Sequence, residues 1–125
     1  MQATHYESLG GEAKVRQLVE RFYELMDTLE QAQDIRRLHG DDLGEAKEKL
    51  FKFLSGWLGG PPLYQQEYGH PRLRMRHMPF PIGERERDQW MLCMRQAMAD
   101  IGVDEKLRTQ LEQAFYRVAD FMRNQ

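Results

Sequence analysis

An all-α fold follows from three observations. Four stretches place apolar residues at the i, i+3, i+4 spacing of a half-buried helix, no stretch alternates apolar and polar residues as a strand would, and glycine and proline punctuate the runs. The chain of 125 residues is long enough for one core, so a single domain over 1–125 is expected, its helices covering one another in crossing pairs.

The first helix starts after Gly10 and Gly11 and carries Val15, Leu18, Val19, Phe22, Leu25 and Met26 on one face. The second carries Ala46, Leu50, Phe53, Leu54, Trp57 and Leu58, and "GGPP" at residues 59 to 62 ends it. A third presents Trp90, Met91, Met94, Ala97, Met98 and Ile101, with Gly102 placed for a left-handed cap. Asp104 is the expected N-cap of the fourth, whose stripe is Leu107, Leu111, Phe115, Val118 and Met122. Residues 59–83, between the second and third helices, show no clean helical period, and a structureless connection of that length in a compact domain is usually functional.

Hydrophobic residues at 41% and charged residues at 30% fit a folded soluble protein. A net charge of -2 gives no overall attraction to nucleic acid or an anionic membrane. The start "MQATHYESLGGEAKV" lacks the basic and apolar regions of a signal peptide, and no stretch approaches a membrane span, so a cytoplasmic location is expected. The single cysteine, Cys93, sits in an apolar helical pattern and reads as a buried small side chain.

Within residues 59–83 lies "GHPRLRMRHMPFPI". His70 precedes Pro71, which biases it to an extended loop conformation. His77 closes an arginine-rich segment, and Pro79 and Pro81 stiffen the exit. A rigid backbone presenting one imidazole suits an axial metal ligand, although by itself the stretch fits a surface histidine in a turn better. His5, His39, His70 and His77 show no paired ligand spacing, and one cysteine removes thiolate sites, so a metal held by side chains alone is disfavoured. Nucleophilic catalysis by Cys93 is disfavoured by its apolar neighbours Trp90, Leu92, Met94 and Ala97. A large apolar cofactor such as haem needs one imidazole, an apolar slot and cations at its rim. His77, the helical stripes and the arginines at 72, 74 and 76 supply the three. Tyr23 falls on the inner face of the first helix, where it is either a pocket donor or a core phenol bonded to backbone.

The runs "ESLGGEAKVRQLVERFY" and "GGPPLYQQEYGHPRLRMRHMPFPIGERERDQW" together resemble a truncated haemoglobin of group II, a bacterial globin-like protein, over nearly the whole chain. The resemblance implies a globin-like two-over-two helical sandwich around haem b, with His77 as proximal iron ligand and His70 structural. It implies Tyr23 and Trp90 as hydrogen-bond donors to a bound gas, with Ala46 and Leu50 facing the same distal pocket. Phe22, Phe53, Leu54, Trp57 and Met94 are expected on the cofactor wall, and Arg76, Tyr64 and Lys49 at the carboxylates on its rim. At His39 similar proteins more often carry phenylalanine or tyrosine. An imidazole there can bond to the gas or to Tyr23, or bind iron as a sixth ligand. The function so implied is binding of dioxygen or another diatomic gas, in oxygen transport or with turnover of nitric oxide (as a dioxygenase) or of peroxide. Turnover would call for a reductase as partner, and a monomer or weak homodimer is expected. A cofactor-free helical interaction module, which would be colourless, is the alternative.

Overall fold

A computed structural model describes residues 3–125. The first two residues of the N-terminal stretch read above, and of the domain expected over 1–125, lie outside the described residues. The described chain is all-helical, without strands: α1 (His5–Leu9), α2 (Glu12–Thr28), a 3-10 turn (Glu30–Ala32), α3 (Gln33–Arg36), α4 (Gly44–Trp57), α5 (Leu63–Tyr68), α6 (Leu73–His77), α7 (Glu84–Asp100) and α8 (Glu105–Phe121).

The four long helices α2, α4, α7 and α8 are the four that the apolar periods predict. On α2 the stripe Val15, Leu18, Val19, Phe22, Tyr23, Leu25 and Met26 is buried, and on α7 Met91, Cys93, Met94, Ala97 and Met98 are. Burying each large side chain of this kind contributes about 1.5–3 kcal/mol, which orders helices that would be marginal alone. Helix α2 packs against both α4 and α7, and α7 against α8, so two helix pairs cross in two layers. Asp104 caps α8 by accepting from the backbone N–H groups of Lys106 and Leu107. Gly102 takes φ +80° after α7, the left-handed position expected of it.

The connection over residues 59–83 is not structureless: it contains α5 and α6. At six and five residues each is too short to show a period. Proline was the available signal. Pro62 is the N-cap of α5 and Pro71 lies two residues before Leu73, the first residue of α6, because a fixed φ and a missing N–H suit a helix start as well as a helix stop. Helix α1 was equally invisible. It is tied to the end of α4 by the Tyr6 N–H donating to the Leu58 carbonyl at 2.8 Å. Gly60 is required there, since a Cβ would lie 2.4 Å from the Tyr6 ring. Among the described residues no helix is long and apolar enough to cross a membrane.

Candidate functional site

Between the two layers lies a cavity of about 710 Å³, within the roughly 300–1,000 Å³ usual for small-molecule and cofactor sites. Tyr23 of α2, His39 of the α3–α4 connection, Ala46, Lys49, Leu50 and Phe53 of α4, Tyr64 of α5, Arg76 and His77 of α6, and Trp90 of α7 line it. Residues far apart in sequence thus converge on one space.

His77 is the last residue of α6, and its Nδ1 lies 2.6 Å from the Leu73 carbonyl oxygen, one turn back. A carbonyl only accepts, so in the neutral ring Nδ1 carries the proton and Nε2 keeps its lone pair. A metal ligand needs that tautomer, oriented by a backbone acceptor. His39 repeats the arrangement, with Nδ1 3.0 Å from the Ile35 carbonyl oxygen. Burial lowers the His39 pKa first, and the charge of Arg36 lowers it further against the bond to Ile35. His39 is therefore neutral at pH 7, and among the described residues its Nε2 has no partner.

Tyr23 is 6% exposed, and burial pushes its phenol far above its ordinary range. Among the described residues the one partner of its hydroxyl is the Ala46 carbonyl at 3.5 Å, beyond normal hydrogen-bond length. A buried hydroxyl without a good partner costs about 1–3 kcal/mol, so this donor is poised for something else in the cavity. Its ring meets His39 edge-on at 5.9 Å and Phe22 at 5.0 Å. Trp90 lines the same space, and among the described residues no acceptor takes its indole N–H. Ala46 and Leu50 add no polar group.

At the rim Arg76 donates to the Pro71 carbonyl at 2.8 Å and lies over the Tyr64 ring at 5.9 Å. Lys49 is paired with Glu45 at 2.8 Å, which raises its pKa. Arg87, which the sequence did not single out, also lines the cavity, but its charge is met by Asp120 and Asp88 at 2.8 and 3.0 Å. Of the five residues expected on the wall, Phe53 lines the cavity, while Phe22, Leu54, Trp57 and Met94 sit one layer behind it in the core. Phe22 packs on Tyr23 and Trp90, and Trp57 stacks on Phe53 and Phe115. Helical spacing marks a buried face without separating its cavity edge from its core edge. Leu38, Leu43, Leu73 and Ile82 occupy wall positions the sequence did not single out, beside Val118 and Met122 of the expected α8 stripe. His70, away from the cavity, accepts the Arg72 N–H at Nδ1 (3.1 Å) and turns the chain where Arg72 adopts φ +47°. Cys93 is buried, its thiol pushed up to about 11 by burial, as an inert core residue would be.

Two polar residues that carried no sequence signal hold the histidine-bearing segments. Gln89 accepts the Ile35 N–H at its Oε1 (2.9 Å) and donates from Nε2 to Asp34 (2.8 Å), fixing α3 against α7. Asn124 donates from Nδ2 to the carbonyls of Phe80 (2.7 Å) and His77 (3.4 Å), while its Oδ1 accepts the Ile82 N–H at 3.0 Å. The donor set therefore fits a flat apolar group with one metal and anionic edges: a single imidazole on one side, a weakly partnered hydroxyl and an indole N–H on the other, and cations at the mouth.

Residues 4–124 match the model of a family described as bacterial-like globin. The group II 2-on-2 hemoglobin of the plant pathogen Agrobacterium tumefaciens superposes with a TM-score of 0.95 at 48% identity, over 99% of this chain and 96% of that one. A truncated oxygen-avid haemoglobin from Bacillus subtilis superposes with a TM-score of 0.89 at 38% identity, over 98% and 100%. In sequence, the group 2 truncated hemoglobin YjbI of Bacillus subtilis (strain 168) is 42% identical over 103 residues, 82% of this chain and 75% of that protein.

Proposed function

Because the chain belongs to the bacterial-like globin family, as a truncated haemoglobin of group II with the two-over-two fold, we propose that it holds haem b in its cavity through His77 and binds a diatomic gas, dioxygen first, on the side of Tyr23 and Trp90. One observation carries this reading: the bond from His77 Nδ1 to the Leu73 carbonyl leaves Nε2 as a ready metal ligand inside an apolar cavity. The haem would supply an iron atom that binds the gas and draws charge onto it. The chain's own residues supply the rest. Tyr23 and Trp90 aim two N–H or O–H donors at a polarised ligand in a water-poor space, which slows its escape. Arg76, Lys49 and Tyr64, which line the cavity, would bond carboxylates at the cofactor's edge. Oxygen binding is also what the Bacillus subtilis neighbour's description supports.

His39 favours a second state of the same site. Its imidazole is neutral, among the described residues its Nε2 has no partner, and it lines the same cavity as His77, so it can serve as a sixth ligand when no gas is bound. The bond to Ile35 and the edge-on contact with Tyr23 hold it back as a pocket wall residue.

The test is the absorption spectrum of the purified chain after haem addition, ferric and ferrous, with and without carbon monoxide. A Soret band at one haem per chain is expected, with a carbon monoxide shift on reduction; His77→Ala should lose that band while His70→Ala keeps it. A colourless wild-type chain would return the protein to the class of cofactor-free helical modules.

A further inference from the structure

Resting on the haem reading above, we propose that the face formed by α6 and the end of α8 is the docking site of an acidic one-electron carrier protein. From Tyr68 to Gly83 the chain carries Arg72, Arg74 and Arg76 and no carboxylate, so its net charge of -2 divides into +3 here and -5 elsewhere. Among the described residues no carboxylate lies within pairing distance of these three, whereas Arg16, Arg21, Arg36, Arg87, Arg95 and Arg123 each have one. Arg76 turns to the cavity. Arg72 and Arg74 are left exposed and uncompensated on a protein that has acids in excess.

The same face holds the three most exposed large apolar side chains: Met75 at 57%, Met78 at 55% and Phe121 at 59%. Met75 and Met78, three apart on one turn, share a side of α6, and the Arg74 guanidinium lies 5.6 Å over the Phe121 ring, joining α6 to α8. Arg117, one turn before Phe121, is exposed and adds another cation without a carboxylate partner among the described residues. Adaptable methionines inside a rim of unpaired arginines suit a partner whose face is acidic with an apolar centre. A second copy meeting this face with its own would set arginine against arginine. A membrane or nucleic acid would meet the acidic remainder of the surface as an extended like charge. A small patch matches the small interface of a transient redox pair, below about 1,200 Å².

Position gives the face its purpose. Met78 directly follows His77, and Arg74 and Met75 lie on the same short helix, so a carrier seated here is separated from the cavity by one turn of chain. The transfer is one electron per encounter: the reduced carrier is oxidised, the ferric cofactor becomes ferrous, and no atom or proton moves.

The probe is an acidic plant-type [2Fe–2S] ferredoxin. Its binding to the haem-loaded chain is titrated in the oxidised state, and reduction of the ferric chain by pre-reduced ferredoxin is followed by stopped flow. Arg72→Glu/Arg74→Glu should lower the second-order rate by about tenfold or more and weaken binding in parallel, with Arg72→Gln/Arg74→Gln between it and the parent. Raising the salt from 0.15 M to 1 M, which shortens the screening length from about 8 Å to about 3 Å, should slow the parent and hardly affect the reversed variant. Reduction by dithionite should be the same in all, and Lys106→Glu/Arg108→Glu at the start of α8 should behave as the parent. The proposal is overturned if the reversed variant is reduced by ferredoxin as fast as the parent. It is equally overturned if the parent sediments with phosphatidylglycerol vesicles through these arginines while ferredoxin reduction ignores them. A chain with no Soret band defeats the haem reading alone, because the titration still reports docking.

Discussion

His77 and His39 line the same cavity, and each donates its Nδ1–H to the carbonyl four residues back, at 2.6 Å and 3.0 Å. Beyond that shared bond the two sides differ. The His77 side is a five-residue helix rich in arginine, held from the far end of the chain by Asn124. The His39 side is a half-buried turn held from the middle of α7 by Gln89, beside a tyrosine whose hydroxyl is all but unpartnered. A short helix with a terminal staple fixes its ring. A turn clamped at one peptide, four residues before the histidine, leaves its ring able to move within the cavity.

The largest expected effect comes from cutting the two staples in parallel. Asn124→Ala removes the donors to the His77 and Phe80 carbonyls and the acceptor of the Ile82 N–H, and should cost about 1–3 kcal/mol of stability. It should also shift the iron–histidine stretching band of the ferrous protein, while Asn124→Asp, which keeps only the acceptor, falls between. Gln89→Leu leaves the Ile35 N–H unpaired at a similar cost, but its spectroscopic effect should appear on the other side, as an increased six-coordinate low-spin fraction. If Gln89→Leu moved the iron–histidine band and Asn124→Ala did not, the division of labour between the two sides would be wrong.

How this site reads from sequence follows the same division. The His77 segment was legible because its chemistry is local: an arginine-rich run, a histidine and two prolines within a dozen positions. The four long helices were legible because burial of one face imposes a period on them. Residues 59–83 were misread because five- and six-residue helices are shorter than the window in which a period can show, and the prolines there start helices as well as stop them. Gln89 and Asn124 had no local signature at all, their partners being 54 and up to 47 residues away. Phe22 and Trp57, expected on the cofactor wall, pack against the cavity-lining Trp90 and the core Phe115, because a helical stripe is wider than the cavity it borders. His39 was drawn into the pocket by family resemblance alone; no pattern around "DIRRLHGDD" points inward.

A smaller effect tests what the underused hydroxyl does. Tyr23→Phe keeps the ring and its contacts with Phe22 and His39 and removes the donor. Losing one hydrogen bond of about 1 kcal/mol to a polarised ligand should speed dioxygen dissociation by about fivefold, with carbon monoxide, less polarised when bound, affected less. Stopped-flow displacement measures both. Equal acceleration of the two gases would assign Tyr23 to access and not to hydrogen bonding.

The smallest expected effect is also the one that separates the two histidines without touching the iron. The pKa of His39 is lowered in the folded protein, mainly by burial, from an ordinary value near 6.5. Above that value both states hold His39 neutral and it contributes no pH dependence. As the pH falls through about 6.5 toward the folded value, the unfolded chain takes up a proton that the native chain refuses, so stability must fall with acidification in that window. The slope cannot exceed one proton, about 1.4 kcal/mol per pH unit, and the partly exposed ring makes it less. Melting of the haem-free chain between pH 7.5 and 5 should therefore show a loss in the parent that His39→Phe reduces, with the two curves running parallel above pH 7. A curve for His39→Phe that runs parallel to the parent across the whole range would mean that the ring reaches water as it does in an unfolded chain, and that the turn carrying it is open and not clamped against α7.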